Sequence, residues 1–255
     1  MGTYLGQNFL IDSKIRHWIG DKTKELFQKT WAKTLIEIGP GKGSLTVLIK
    51  DIAQNFILFE KDTTLEEKLQ TVLAENTNAK IVFGDVLEGE FEKEEIIPKE
   101  TFVVGNLPYY ITSPILRKFF ADETVDFLGG LFMIQHEVWE KIDFNAEKKS
   151  YLYRLLNYRY QVQYLKLVPA KAFNPAPKVK SCMISLLKRE KKPDFPFEKL
   201  VDFLDHFSPY SRKTLGKISK MLEKKGMMYD IPADFQGKRL EELKWEDMEI
   251  VLRKK

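Results

Sequence analysis

Four apolar runs, ending at Gly39, Glu60, Asp85 and Asn106, constrain this chain more than any other feature. Leu35, Ile36 and Ile38 lead to Gly39, and Phe56 to Phe59 lead to Glu60. Lys80 to Phe83 run into Gly84-Asp85, and Thr101 to Val104 run through Gly105 into Asn106. Each run has the length and the β-branched or aromatic character of a buried strand. The strand ends lie 21, 25 and 21 residues apart, which leaves room for a crossover helix each time. Thr64 to Leu73 is one such helix, with Leu65, Leu69, Val72 and Leu73 on its apolar face. Successive strands joined this way form a parallel sheet, whose ligands bind beyond the carboxyl ends of the strands. A single acidic strand end is usually a helix cap; four strand ends in this order predict one ligand crevice.

The loops at those ends differ in chemistry. The first carries Gly39, Gly41 and Gly43 and opens a helix near Ser44. Its G-x-G-x-G spacing is not the dinucleotide fingerprint, which requires glycine where this chain has Ser44. The glycines still let a nucleotide-like ligand approach the backbone closely. Glu60, 21 residues after Gly39, suits a bidentate grip on the two hydroxyls of a ribose. After the fourth strand come Asn106, Leu107, Pro108 and Tyr109. An amide that accepts from an amino group, next to an aromatic ring, suits a planar nitrogen base. Taken alone, the tetrapeptide reads equally as a turn with its tyrosines filling core.

The remaining elements follow from the same signals. A helix capped by Asp12 or Ser13 carries Ile15, Trp18 and Ile19 on one face. Pro114 to Phe120 reads as a helix with proline in its first turn, and Gly130 to Gln135 as a fifth strand. Residues 137–157 are helical with an interruption around Asp143 to Lys149. Tyr160 to Val168 and Ser181 to Leu187 read as two strands, an antiparallel pair, joined by a proline-rich loop that presents Phe173. That ring serves either as a stacking surface or as a plug on its own sheet. Lys188 to Phe197 has the charge and prolines of a linker, so the chain divides into an α/β part, residues 1–189, and a small helical part, residues 190–255.

Composition narrows the class of function. The single cysteine, Cys182, permits no internal disulfide framework, and His17, His136 and His206 form no ligand pair, so no metal is expected. The most apolar window, Val125 to Ile134, is too short to span a bilayer, and the start of the sequence does not read as a secretory signal. A soluble, cytoplasmic monomer without a membrane partner is the expectation. The net charge of +4 hides an asymmetry: residues 1–150 hold 18 basic and 24 acidic side chains, residues 151–255 hold 23 and 13. A basic half interleaved with Tyr151, Tyr153, Tyr158, Tyr160 and Phe173 is the footprint expected of a nucleic-acid binder.

Several segments together carry a resemblance. GQNFLID (6–12), EIGPGKGSLT (37–46), Glu60-Lys61-Asp62, GDVL (84–87), NLPYYITSP (106–114), IQHEV (134–138), PAKAFNPAPKVKS (169–181), SRKTL (211–215) and RLEELKWEDM (239–248) run in one order across nearly the whole chain. In these the sequence resembles the KsgA-type rRNA adenine dimethyltransferases. The resemblance implies a Rossmann-like S-adenosylmethionine-dependent methyltransferase with a small C-terminal helical RNA-binding domain. It implies a reaction at two adjacent adenosines near the 3′ end of small-subunit ribosomal RNA, with the immature small subunit as partner. Position by position, Asn8 and Leu10 would meet the cofactor at the mouth of the site. Gly39 and Gly41 would pass beneath its methionine part, Glu60 would hold its ribose and Asp85 its adenine amine. Asn106 to Tyr109 would receive the target adenine, with Asn106 bordering the cofactor as well and Phe173 as a second stacking surface. The chain departs from the family pattern at Lys141, Leu152, Lys180 and Gly216, positions that bear on RNA docking rather than chemistry. Two alternatives stand beside this one: a large-subunit rRNA adenine methyltransferase of the macrolide-resistance type, and a non-catalytic RNA-binding assembly factor.

Overall fold

A computed structural model describes residues 8–253 apart from 75, 77, 123, 144 and 146–148. In chain order the first elements are β1 (Phe9–Leu10), α1 (Ser13–Lys29), β2 (Thr34–Ile38), α2 (Thr46–Ile49), β3 (Asn55–Glu60), α3 (Glu66–Leu73) and β4 (Ala79–Phe83). They are followed by β5 (Thr101–Asn106), α4 (Thr112–Phe120), β6 (Gly129–Gln135), α5 (His136–Ile142), α6 (Tyr151–Arg159) and β7 (Tyr160–Val168). The chain ends with β8 (Phe173–Asn174), β9 (Ser181–Lys188), α7 (Phe197–Phe207), α8 (Leu215–Glu223), α9 (Ala233–Gln236) and α10 (Trp245–Leu252).

Seven strands form one sheet in the order β4-β3-β2-β5-β6-β9-β7. The five from β4 to β6 are parallel, and β9 joins β6 antiparallel with β7 outside it. The antiparallel pair foreseen from sequence is therefore an extension of the main sheet. Central strands β2 and β5 are buried along almost their whole length because helices cover both faces. Strand order reverses between β2 and β5, so the loops after them diverge and leave a crevice there.

The two faces carry separate cores. On one, Ile15, Ile19, Leu35, Phe56, Leu58 and Phe102 pack beneath α1 and α3. On the other, α4 sets Ile115, Leu116, Phe119 and Phe120 against the sheet, one to five residues apart as a helical face requires. Phe91, Phe119 and Phe127 meet there with ring centroids 5.1–5.2 Å apart. Burying each such ring contributes roughly 2–3 kcal/mol.

That second core continues into the C-terminal helices without a break. The segment 188–197, expected as a linker, is a docked strap. Arg189 donates from Nε to the carbonyls of Asn157 and Tyr160 at 2.9 and 3.1 Å, and Phe195 is buried against the Tyr158 ring. Arg154, fully buried in α6, donates to the carbonyls of Leu240 and Leu243 at 2.6 and 3.0 Å and so ties the turn before α10 to the sheet domain. Burial lowers its pKa to about 10, because the charged form is taken out of water.

Candidate active site

The glycine loop is built on left-handed backbone. Gly39, Gly41 and Gly43 have φ of 68°, 57° and 76°, a region that costs a residue with a Cβ about 1–2 kcal/mol. These turns hold the chain back from helix until Thr46, two residues later than the sequence suggests. They aim backbone N–H groups inward. Gly41 N–H donates to Glu60 Oε2 at 2.9 Å, and Asp62 N–H donates to Glu60 Oε1 at 2.9 Å. Glu60 is 4% exposed, yet its carboxylate faces the crevice with one accepting position used on each oxygen.

Two further carboxylates line the same crevice. Asp85 accepts from Leu87 N–H at 2.9 Å and from Lys61 Nζ at 2.8 Å. The hydrogen bond from Lys61 holds its pKa below the usual carboxylate range. Glu37, inside β2, accepts from Thr46 Oγ1 at 2.8 Å. Burial pushes its pKa up to about 8, with a smaller push from the neighbouring Glu60. Neither Glu37 nor Lys61 was given a role from the sequence, though both stand in the shared motifs. A charged residue in the middle of a strand read as buried on both faces was a signal for the first. The second depended on a contact between residues 24 apart in sequence.

The loop after β5 faces the glycine loop across the crevice. Asn106 Nδ2 donates to the carbonyl of Asn8 at 3.2 Å. A carbonyl only accepts, so this bond fixes which end of the amide points toward Asn8 and leaves Oδ1 as an acceptor. Leu107 N–H is taken by the Met133 carbonyl at 3.1 Å. The Pro108 carbonyl is occupied twice, by Ile111 N–H at 3.2 Å and Thr112 Oγ1 at 3.1 Å. Among the described residues no donor engages the Leu107 carbonyl, which makes it the open backbone acceptor beside Asn106. Tyr109, half-buried, shares a 2.6 Å hydrogen bond with Ser181, and burial raises its pKa.

One pocket is lined by Asn8, Leu10, Gly39, Gly41, Glu60, Asp85, Asn106, Leu107, Pro108 and Tyr109 together. Phe173 is the exception. Its backbone pairs antiparallel with Leu10 across β1 and β8, and its ring is 3% exposed within the core beneath α1. The structure therefore corrects the expectation of a stacking surface: packing against the sheet outcompetes presentation to solvent. The β1–β8 ribbon instead holds Asn8 within reach of Asn106. The Gly6-Gln7 start of the first motif lies outside the described residues.

These groups suit a nucleoside-bearing cofactor. Two carboxylates at successive strand ends offer acceptors for hydroxyl and amino hydrogens. A Cβ on Gly41 would sit 3.1 Å from the Phe9 ring, so the loop is packed to its limit from that side. Glu60 and Asp85 would hold the polar ends of such a molecule.

Residues 2–232 match the family described as ribosomal RNA adenine dimethylase. A curated relative from Listeria monocytogenes, ribosomal RNA small subunit methyltransferase A, is 38% identical over 198 residues. The protein of the same name from Geobacillus sp. is 36% identical over 197 residues. These alignments cover 74% of this chain but only 64% and 65% of the two relatives' lengths. A crystal structure of a dimethyladenosine transferase from Plasmodium falciparum is similar over 96% of both chains, with a TM-score of 0.74 at 24% identity. The 23S rRNA methyltransferase ErmE is similar over 96% of this chain and 98% of its own, with a TM-score of 0.70 at 23% identity. At such identities the two structures speak for the fold, which is that of the Rossmann-like methyltransferases.

Proposed function

This chain belongs to the ribosomal RNA adenine dimethylase family, and we propose that it dimethylates the exocyclic amines of two adjacent adenosines near the 3′ end of small-subunit ribosomal RNA. S-adenosylmethionine is the cofactor of this reading, and when bound it supplies an electrophilic methyl on a sulfonium. The immature small ribosomal subunit is the partner, met by a cytoplasmic monomer. The observation that carries the proposal is the Asn106 amide, oriented by Asn8 and set beside the pocket of Glu60 and Asp85.

Adenine's amine is a poor nucleophile because its lone pair is delocalised into the ring. Asn106 Oδ1 and the Leu107 carbonyl would accept its two hydrogens, which favours a pyramidal nitrogen and frees the lone pair for in-line attack. Orientation and hydrogen-bond acceptance at fixed points then supply the rate, and Asn106 need not act as a base. Tyr109, braced by Ser181, would receive the face of the extruded adenine in place of its lost stacking partners. Glu60 and Asp85 would hold the ribose and adenine of the cofactor, while Gly39 and Gly41 leave room for its amino-acid end. Residues 190–255 would supply RNA contacts, supported by exposed Arg212, Lys213, Lys217 and Lys220 at the start and along one side of α8.

The test incubates the protein and tritiated S-adenosylmethionine with unmodified small and large ribosomal subunits in parallel. Labelled dimethyladenosine confined to small-subunit RNA is expected. Label in the large subunit would replace the target with that of the macrolide-resistance type. Absence of label in either, with RNA bound, would leave a non-catalytic assembly factor.

A further inference from the structure

The proposed reaction accounts for the pocket but not for a run of aromatic and basic side chains beside it. Tyr109 reaches Ser181, the first residue of β9, and the Lys180 carbonyl just before it accepts from His136 N–H at 3.0 Å. The His136 ring meets the Tyr164 ring edge-on at 6.1 Å, and Trp139, on the next turn of α5, lies 5.5 Å from Tyr164. Contacts thus run from the substrate loop to the outer strand of the sheet. Tyr164 sits on that edge strand, where the register shifts before Lys166, and it is 40% exposed. Such shifts commonly re-aim side chains at a sheet edge. Among the described residues its hydroxyl has no hydrogen-bond partner.

Charge around the rings is mainly positive. Lys166, Lys171, Lys178 and Lys180 are exposed and make no ion pair among the described residues. Lys166 lies 5.1 Å from the centroid of the Trp18 ring. The acidic groups nearby on α5 are exposed Glu137 and Glu140, and Glu140 lies 3.3 Å from His136 Nδ1. An exposed ring, Tyr164, backed by partly buried His136 and Trp139 and flanked by lysines without ion pairs among the described residues, matches single-stranded nucleic acid, whose bases stack and whose phosphates need cations. Leu167 and Val179 are also exposed here, 42% and 36%, but each stands next to a lysine, so charge rather than apolar area dominates the strip.

Resting on the rRNA adenine reading, we propose that this strip is a subsite for the nucleotides flanking the target adenosine: one base stacks on Tyr164, and the adjoining phosphates meet Lys166 and Lys180. Tyr164 pairs with Ile184, three residues, about 10 Å, along β9 from Ser181, the residue that braces Tyr109. The flanking strand is thereby kept extended while the target base is held in the pocket. This makes Tyr164 a positioning residue for RNA, without contact to the transferred methyl.

The experiment uses the full chain and a single-stranded RNA oligonucleotide containing paired adenosines. Tyr164→Ala is expected to raise KM for the RNA by about tenfold, the range of one lost stacking contact. The maximal rate, cofactor affinity and melting temperature should stay at wild-type values. Tyr164→Phe should restore KM, because stacking needs the ring and not the hydroxyl. Lys166→Ala should weaken RNA binding and reduce the slope of log affinity against log salt by about one. An unchanged KM in Tyr164→Ala overturns the proposal. So does a phenylalanine variant as impaired as alanine, or a defect matched by a lower melting temperature. Should the wild type transfer no methyl to the oligonucleotide, the activity proposal is decided by the subunit assay instead. Fluorescence anisotropy of the same oligonucleotide then decides the subsite: Tyr164→Ala must still lose about tenfold in affinity.

Discussion

The two walls of the pocket are held in different ways. On the side of β2, β3 and β4, carboxylates are fixed by the chain itself: Glu60 by two backbone N–H groups, Asp85 by one and by Lys61, Glu37 by Thr46. On the side of β5 and β6, the groups proposed to act on the adenine keep acceptors open: among the described residues the Asn106 side chain is bonded only through its NH2, and the Leu107 carbonyl meets no donor. One wall is preassembled to hold a molecule that must be bound tightly; the other keeps unsatisfied acceptors for a group that becomes more polar during reaction. Acceptors left open in the ground state can be filled most strongly in the transition state, which is where binding accelerates chemistry.

Paired substitutions test that division most severely. Asn106→Ala is expected to lower kcat by roughly a thousandfold, the scale of removing one well-placed hydrogen-bonding group from an active site. Its cofactor affinity should stay within a few fold, since the opposite wall is intact. Glu60→Ala should do the reverse, weakening cofactor binding about 10- to 100-fold through lost hydrogen bonds to a charged group. Calorimetry with S-adenosylmethionine and methyl transfer at saturating cofactor separate the two. Equal losses of cofactor affinity in both variants would merge the walls into one unit.

Glu37 sharpens the comparison from within the preassembled wall. Its native pKa of about 8 lies above the 4.5 of an ordinary glutamate, so between these values the folded state holds a proton that the unfolded chain releases. The associated stability is fully present below pH 4.5 and is lost as pH rises toward 8. Glu37→Gln keeps an acceptor for Thr46 and cannot titrate. Relative to it, the wild type should lose on the order of 1 kcal/mol per pH unit across that window. Urea unfolding of both proteins at several pH values measures the difference, and parallel stability curves would mean that Glu37 is not protonated in the fold.

The polar strand ends were legible because a period of strand, helix and strand places them at one edge whatever the packing details. Asn106 and Glu60 were legible as strand ends by the same rule, although the groups that fix them, Asn8 and Gly41, lie 98 and 19 residues away. What was not legible depended on distant pairing. Phe173 could be exposed or buried until β8 was seen to pair with β1. The choice of Leu107 over Pro108 as backbone acceptor depended on the short turn after Pro108, which uses up the proline carbonyl. The strap at 188–197 was misread because charge and proline look alike in a linker and in an ordered surface segment. Its buried Phe195 was the residue that distinguished them.

The smallest expected effect concerns left-handed backbone outside the pocket. In the cofactor wall this conformation is given to glycine, and Gly41 cannot take a Cβ without moving Phe9. At the end of α1 the same conformation falls to Trp31, with φ of 57° and 89% exposure. Its N–H reaches the Gln28 carbonyl and that of Ala32 reaches Phe27, at 3.1 and 3.4 Å, the pair of bonds that closes a helix at a position usually held by glycine. The indole buries too little area to offset the backbone cost. Trp31→Gly should therefore stabilise the protein by about 1 kcal/mol, net of the greater freedom of glycine when unfolded. For a chain of this size that is a rise in melting temperature of about 2–4 °C. Methyl transfer should be unchanged, because Trp31 precedes β2 and so sits at the end of the sheet opposite the pocket. A lower melting temperature would show that the exposed indole stabilises the fold despite its backbone, and the cost assigned to left-handed residues in the glycine loop would then need revising downward as well.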